Sequence, residues 1–208
     1  MNFADHHKEK TTLGLDKAQA KSNLFAIADI LDRLGIGYFL FFGTLLGAVR
    51  EKDFIAHDTD TDLGVFREFS ERFPEVRAAA EAEGFTILRG EAGGFLFSFL
   101  RGNEYLDCYV SKRKLAFPFR KVWEVDSSLV PARYLDSMGR LQFLGRDFPV
   151  PAEPEKALAT LYGTNWRIPV KRAPAKPSFL NRIRRFLREK DKLDAFRRHL
   201  RIRREARG

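Results

Sequence analysis

YFLFFGTLLGAVREKDFIAHDTDTDLGV, Tyr38 to Val65, is the stretch around which the chain is organised. Its apolar opening, Tyr38 to Phe42, is aromatic-rich and flanked by glycines, which suits a buried strand better than a helix. Gly43 and Thr44 then make a turn, and Leu45 to Arg50 reads as a short helix. A polar loop follows and ends in Asp58, Asp60 and Asp62, one carboxylate at every second position.

Extended backbone would put these three carboxylates on one face, about 6.7 Å apart per two residues. Like charges so placed repel. A hard divalent cation with oxygen ligands relieves the repulsion, and a solvated acidic loop is the plainer alternative. Mg²⁺ takes one or two protein carboxylates and fills its octahedron with water and phosphate oxygens, so the cation reading implies a phosphate-bearing ligand. Gly43 and Thr44 fit that reading, because backbone N–H groups at a helix start and a hydroxyl can approach a phosphate closely; the alternative is an ordinary strand-to-helix turn. Arg50 offers a fork of donors to a donor phosphate, or serves as a helix C-terminal charge in a local ion pair. His57, beside the aspartates, is a candidate base or ligand, or simply a loop residue.

At 208 residues the chain is long enough for one sizeable core, and length suggests one domain with an appendage. The 20 phenylalanines are mostly core candidates. A single cysteine, Cys108, leaves no internal disulfide or Cys-based zinc site and fits a reducing compartment. No apolar leader and no run long enough to span a bilayer is visible, so the expectation is a cytoplasmic protein. The net charge of +9 is uneven: Ser178 to Gly208 holds twelve Lys or Arg against four Asp or Glu, a net of +8. A domain-wide nucleic-acid footprint is therefore not expected.

In chain order, residues 1–14 read as a flexible N-terminus. Leu24, Ile27, Ile30, Leu31 and Leu34 keep a helical period from about Asp16 until Gly35 ends it. Pro74 to Glu83 reads as a helix with Pro in its first turn and Gly84 after it. Strands are expected over 85–88, 95–100 and 105–110, with Gly93-Gly94 and Gly102-Asn103 as turns. Asp107 stands in the last of these between Leu106 and Cys108. An inward carboxylate needs a partner, so Asp107 is a third metal carboxylate or a base for an acceptor hydroxyl, unless its face is solvated. Aromatic and basic residues alternate from Leu115 to Val125, where Arg120 and Lys121 either meet a donor's phosphates or form the wet face of a hairpin. Two short strands around Gly145-Arg146, a helix from Pro154 to Tyr162 stopped by Gly163, and a core Trp166 complete the domain. Residues 171–178 read as a linker. The tail, 179–208, spaces Phe179, Ile183, Phe186, Leu193, Phe196 and Leu200 as a basic amphipathic helix. Such a helix docks on its own domain, binds a partner or lies on an anionic membrane.

Gly43-Thr44, Asp60-Thr61-Asp62-Leu63 and Leu106-Asp107-Cys108 together resemble the polymerase-β-like nucleotidyltransferase fold. More narrowly, GTLLGAVR, DFIAHDTDTDLGV, LDCYV and FLGRDFPVPAEPEKALATLYGTNWRIPV resemble the LicD/fukutin family in order and spacing, over about residues 20–170. One departure is Ala56-His57-Asp58-Thr59-Asp60-Thr61-Asp62 where the family has Pro-Trp-Asp-Asp-Asp-hydrophobic-Asp.

The resemblance implies an α+β fold, a mixed sheet with flanking helices, over a LicD-type domain at 15–170, followed by the basic helix. It also implies transfer of a phospho-alcohol, such as phosphocholine or a polyol phosphate, from a CDP-linked donor to a glycan hydroxyl, releasing CMP. Asp60 and Asp62 would hold Mg²⁺ (or Mn²⁺) with Asp58 in support. Asp107 would complete the metal site or orient the acceptor, and Gly43, Thr44 and Arg50 would face the donor's phosphates. A lipid-linked acceptor would place the protein on the inner face of the cell membrane. Two other readings stay open: a nucleotidyltransferase releasing pyrophosphate, and a non-catalytic scaffold that binds membrane or RNA.

Overall fold

The computed structural model describes residues 14–169, and all its elements fall within the unit Met1–Arg167. The linker expected at 171–178 and the basic helix expected at 179–208 lie outside the described residues. Helix α1, Lys17–Leu34, starts at Asp16, whose side chain accepts hydrogen bonds from the Ala18 and Gln19 N–H groups, and ends at Gly35 in the left-handed conformation. Its buried stripe, Leu24, Ile27, Ile30 and Leu31, follows the helical period.

Strand β1, Tyr38–Leu40, is followed by α2, Phe42–Arg50, β2, Thr61–Val65, and two helices, α3 at Arg67–Glu71 and α4 at Phe73–Ala82. Strands β3, Thr86–Arg89, β4, Leu96–Arg101, and the long β5, Glu104–Ala116, come next. Then follow β6, Arg120–Val125, β7, Ser128–Pro131, a 3₁₀ turn at Ala132–Tyr134, the hairpin β8, Met138–Phe143, and β9, Arg146–Pro151, and finally α5, Pro154–Tyr162. The main sheet runs β1-β2-β5-β4-β3, with β6 paired to the far half of β5 and β7 to β6. Only β2 and β5 are parallel. This is the expected mixed sheet with flanking helices. Among the described residues no helix is long and apolar enough to cross a membrane.

One face of the sheet carries Leu63, Val65, Leu106, Cys108 and Phe97, all buried in the core with α1 and α4 residues such as Leu31 and Val76. Cys108 is a free, buried strand residue, and Trp166 is core, both as anticipated. Gly64 has a packing reason: a Cβ there would lie 2.2 Å from the Phe39 ring, which crosses it.

The helix after β1 begins earlier than expected. The apolar run Tyr38 to Phe42 supplies only three strand residues, and Phe42 opens α2 with φ of 41°. That left-handed conformation is costly for an aromatic residue. It is offset by packing, since the Phe42 ring lies 4.6 Å from Phe41 and 5.0 Å, edge-on, from Tyr109.

Candidate active site

Aspartates 58, 60 and 62 do not share one strand. Strand β2 begins at Thr61, so only Asp62 is in the sheet, while Asp58 and Asp60 belong to the loop before it. The alternating-face reading is thereby corrected, although the carboxylates still converge. A Cβ on Gly43 would lie 2.4 Å from Asp58 Oδ2 and 3.2 Å from Asp62 Oδ2, so both oxygens crowd the same point over α2. Asp60 is near enough for its charge to raise the pKa of Asp58, Asp62 and Asp107.

The register then adds partners that chain order hides. Arg89 pairs with Ser98, Ser98 with Asp107, and Asp107 with Asp62, making one row across β3, β4, β5 and β2. Paired residues share a face of the sheet. Arg89 joins the row through an irregularity between Ile87 and Arg89; in a regular ladder Leu88 would face Ser98. The extra residue thus moves a cation onto the face of the aspartates.

Asp62 is 6% exposed and Asp107 4%. The Gly43 N–H donates to Asp62 Oδ2 at 3.0 Å, and the Asp62 N–H donates to Thr44 Oγ1 at 2.8 Å. Tyr109 donates its hydroxyl to Asp107 Oδ2 at 3.4 Å, and among the described residues Asp107 Oδ1 has no hydrogen-bond partner. Ser98, opposite, lowers the Asp107 pKa through its nearby hydroxyl and Arg89 lowers it through its charge, although among the described residues the Ser98 Oγ lies within hydrogen-bond geometry of no partner. Burial, then the Asp60 charge, pushes Asp58 up to about 7. Burial drives Asp62 well above the carboxylate range, helped by Asp60, Asp58 and Asp107. Asp107 is pushed up to about 6, again chiefly by burial. Burial and the same carboxylates raise Tyr105 and Tyr109, which therefore stay protonated donors.

Gly43 and Thr44, expected to cradle phosphate, hold Asp62 in this structure: the Gly43 N–H donates to its carboxylate and Thr44 Oγ1 accepts from its N–H, a bond that does not use the Thr44 hydroxyl proton. A side chain at 43 would collide with the carboxylates. Arg50, expected at the donor's phosphates, gives its Nε and Nη2 to Glu51 and its Nη1 to the Trp166 carbonyl. Its side chain is 13% exposed, and it sits seven residues from Gly43, roughly 10 Å along α2. His57 lies exposed in a turn. Tyr105, Tyr109, Ser98 and Arg89 were missed. The tyrosines could have been found, since positions 105, 107 and 109 alternate onto one face; Arg89 had no signal, because the irregularity that places it is a matter of pairing.

Among the described residues no group of three or more His, Cys, Asp or Glu side chains is arranged to enclose a metal ion unaided. The donors nonetheless fit Mg²⁺, which needs only one or two carboxylates from protein. They are all oxygens, with Asp62 and Asp107 buried and Asp58 and Asp60 half-buried against one another's charge, and among the described residues Asp107 Oδ1 is an orphaned acceptor. Cavities of about 490 Å³ beside α1 and about 840 Å³ near Phe66 and Trp123 are lined by none of these aspartates.

The family model for the LicD/FKTN/FKRP nucleotidyltransferase domain matches residues 35–153. No curated protein matches significantly. Among solved structures, the chain is similar to the solution structure of the antibiotic-resistance factor ANT(2'')-Ia, with 20% identity, TM-score 0.48, and coverage of 92% of this chain and 96% of that one. It is also similar to the lincosamide antibiotic adenylyltransferase LnuA bound to lincomycin, with 14% identity, TM-score 0.47, and coverage of 69% and 86%. A crystal structure of ANT(2'')-Ia with adenylyl-2''-tobramycin gives 18% identity, TM-score 0.47, and coverage of 89% and 98%.

Proposed function

The chain belongs to the LicD/FKTN/FKRP family and carries its nucleotidyltransferase domain, and from that premise we propose that it transfers a phospho-alcohol group from a CDP-linked donor to a glycan hydroxyl, releasing CMP. Membership supports a transferase. The donor, acceptor and cation are the proposal's own. The observation that carries it is the acidic centre at the start of α2: Asp58 and Asp62 meet over Gly43, and Asp107 stands beside Asp62 in the row that Arg89 ends.

Asp60 and Asp62 would hold Mg²⁺, or Mn²⁺ in its place, with Asp58 supporting. The bound cation would neutralise charge on the donor's pyrophosphate and on the departing CMP. Gly43 and Thr44 fix Asp62 by its carboxylate and by its backbone, so the carboxylate need not reorganise on binding. Tyr109 holds one oxygen of Asp107. The other is left to complete the cation site or to orient the acceptor hydroxyl. The acceptor oxygen then bonds to the phosphorus that carries the alcohol, the bond from that phosphorus to the CMP oxygen breaks, and the acceptor's proton passes to Asp107 or to water. Arg89 takes the place once expected of Arg50 as the cation on the phosphate side. The tail at 179–208 would bring the enzyme to a lipid-linked acceptor on the inner face of the membrane.

Incubation with Mg²⁺, a panel of CDP-alcohols and glycan acceptors, with nucleotide products separated by chromatography, tests this reading. Acceptor-dependent CMP is expected. Pyrophosphate from a nucleoside triphosphate, with the nucleotide on the acceptor, would replace it with nucleotidyl transfer. Neither product from well-folded protein would leave the scaffold reading.

A further inference from the structure

The far end of β5 breaks the usual rule that large apolar side chains go inside. Strands β5 and β6 pair out to Ala116 and Arg120, and Phe117, Pro118 and Phe119 close the hairpin. Phe117 is 95% exposed, Phe119 86% and Leu115 64%. From Ser111 to Val122 the sequence holds five cations, Lys112, Arg113, Lys114, Arg120 and Lys121, and no acid. Arg113 and Lys114 pair with Asp136 and Glu124 on the hairpin's flank. Among the described residues Lys112, Arg120 and Lys121 have no ion-pair partner.

We propose that this hairpin tip is an insertion finger for an anionic lipid bilayer, with Phe117, Phe119 and Leu115 entering the headgroup and acyl boundary and Lys112, Arg120 and Lys121 meeting lipid phosphates. Charge complementarity selects the surface, since basic residues beside a membrane are drawn to anionic lipid and aromatic rings favour the interface. Shape selects it as well. A stable protein interface covers about 800 Å² on each partner, more than two phenylalanines and a leucine on a narrow tip can supply, given about 150–250 Å² for each aromatic side chain. A bilayer needs only shallow entry of a few side chains.

The finger belongs to the same strand as Asp107, and ten residues separate Asp107 from Phe117, at most about 33 Å of extended chain. Insertion would therefore fix the acidic centre relative to the membrane. The proposal does not depend on the reaction assigned above and differs from attachment through the tail.

The full-length protein would be mixed with phosphatidylcholine vesicles with and without phosphatidylglycerol. Binding would be measured by co-sedimentation for the wild type and for Phe117→Ser/Phe119→Ser. Phe117→Trp would report insertion through its emission, read against the background of Trp123 and Trp166, and through quenching by brominated lipid. The expected result is binding that needs the anionic lipid, a roughly tenfold or greater loss in the double variant, and a blue-shifted, quenched tryptophan at 117. Binding that survives the double substitution, or leaves the tryptophan at 117 unquenched, would place attachment elsewhere and overturn the proposal. Absence of vesicle binding, or a tryptophan already shielded without vesicles because protein covers the tip, would overturn it equally. Both side chains project into solvent, so the variants should fold, and a thermal melt checks that they do.

Discussion

The two ends of β5 invert the partition that governs the rest of the molecule. Near its start Asp107 is buried among other carboxylates; at its end Phe117 stands in water. Between them Cys108 and Val110 are buried as apolar strand residues should be. Charge without compensation inside, and apolar surface without cover outside, both cost free energy that folding alone does not recover. Such places are where a fold is expected to serve something other than its own stability.

The largest effect expected from testing that contrast is at the acidic end. Asp62→Asn keeps the shape and removes the charge. It should lower kcat/KM by about a thousandfold or more, the cost of losing a cation's hold on the reacting phosphates. The metal-free protein should melt no lower than wild type, because burial already keeps Asp62 protonated there and the neutral Asn amide retains an oxygen to accept from the Gly43 N–H. A large drop in melting temperature would instead make Asp62 a structural residue. Phe39→Ala probes the ordinary core between the two ends. It removes a ring that lies across Gly64 and should cost about 3–5 kcal/mol in denaturant unfolding, whereas Phe117→Ser should stay within about 0.5 kcal/mol.

Gly43→Ala sharpens the comparison by its sign. In an exposed helix this change would stabilise by about 0.5–1 kcal/mol. Here the new Cβ meets Asp58 Oδ2 at 2.4 Å; stability should fall by about 1–3 kcal/mol, with weaker cation binding by titration calorimetry. Arg89→Ala should raise the CDP-alcohol KM by about tenfold, as expected for one charge partner at a partly open site, with little change in melting.

The pH dependence is the smallest effect. Asp58 and Asp107, at about 7 and about 6 in the folded protein, hold protons that the unfolded chain releases near 4. The folded state then binds more protons, so the metal-free protein should lose stability as pH rises from about 4 to 7. Asp62, raised in the same direction by burial, should steepen that fall. Urea melts across that range, with and without Mg²⁺, should show the slope flatten when the cation is present.

Much of this was legible in the chain. Asp16 and Gly35 mark the ends of α1 because capping is local chemistry, and Gly163 likewise ends α5. Asp62 stood out by its alternation with Asp58 and Asp60, and Asp107 because a carboxylate between the apolar strand residues Leu106 and Cys108 needs a partner. What lay hidden depends on neighbours distant in sequence. The strand before α2 stops at Leu40 because Phe42 turns left-handed to pack on Tyr109, and Tyr109 is 67 positions away. For Arg50 the sequence offered a phosphate or a local ion pair; the ion pair, with Glu51, was a local possibility, but the Trp166 carbonyl that takes up its Nη1 is 116 residues on. Arg89 reached the row only through a slip in pairing with β4.

The central claim, that the carboxylates over Gly43 form a cation-dependent nucleotide site, is tested most directly by thermal protection. Wild type and Asp60→Ala/Asp62→Ala would each be melted with Mg²⁺ and a panel of CDP-alcohols, with and without a chelator. The account predicts that one CDP-alcohol raises the wild-type midpoint, and that both the chelator and the double substitution abolish the rise. A well-folded wild type that no nucleotide protects, or protection that persists in the double variant, would contradict it.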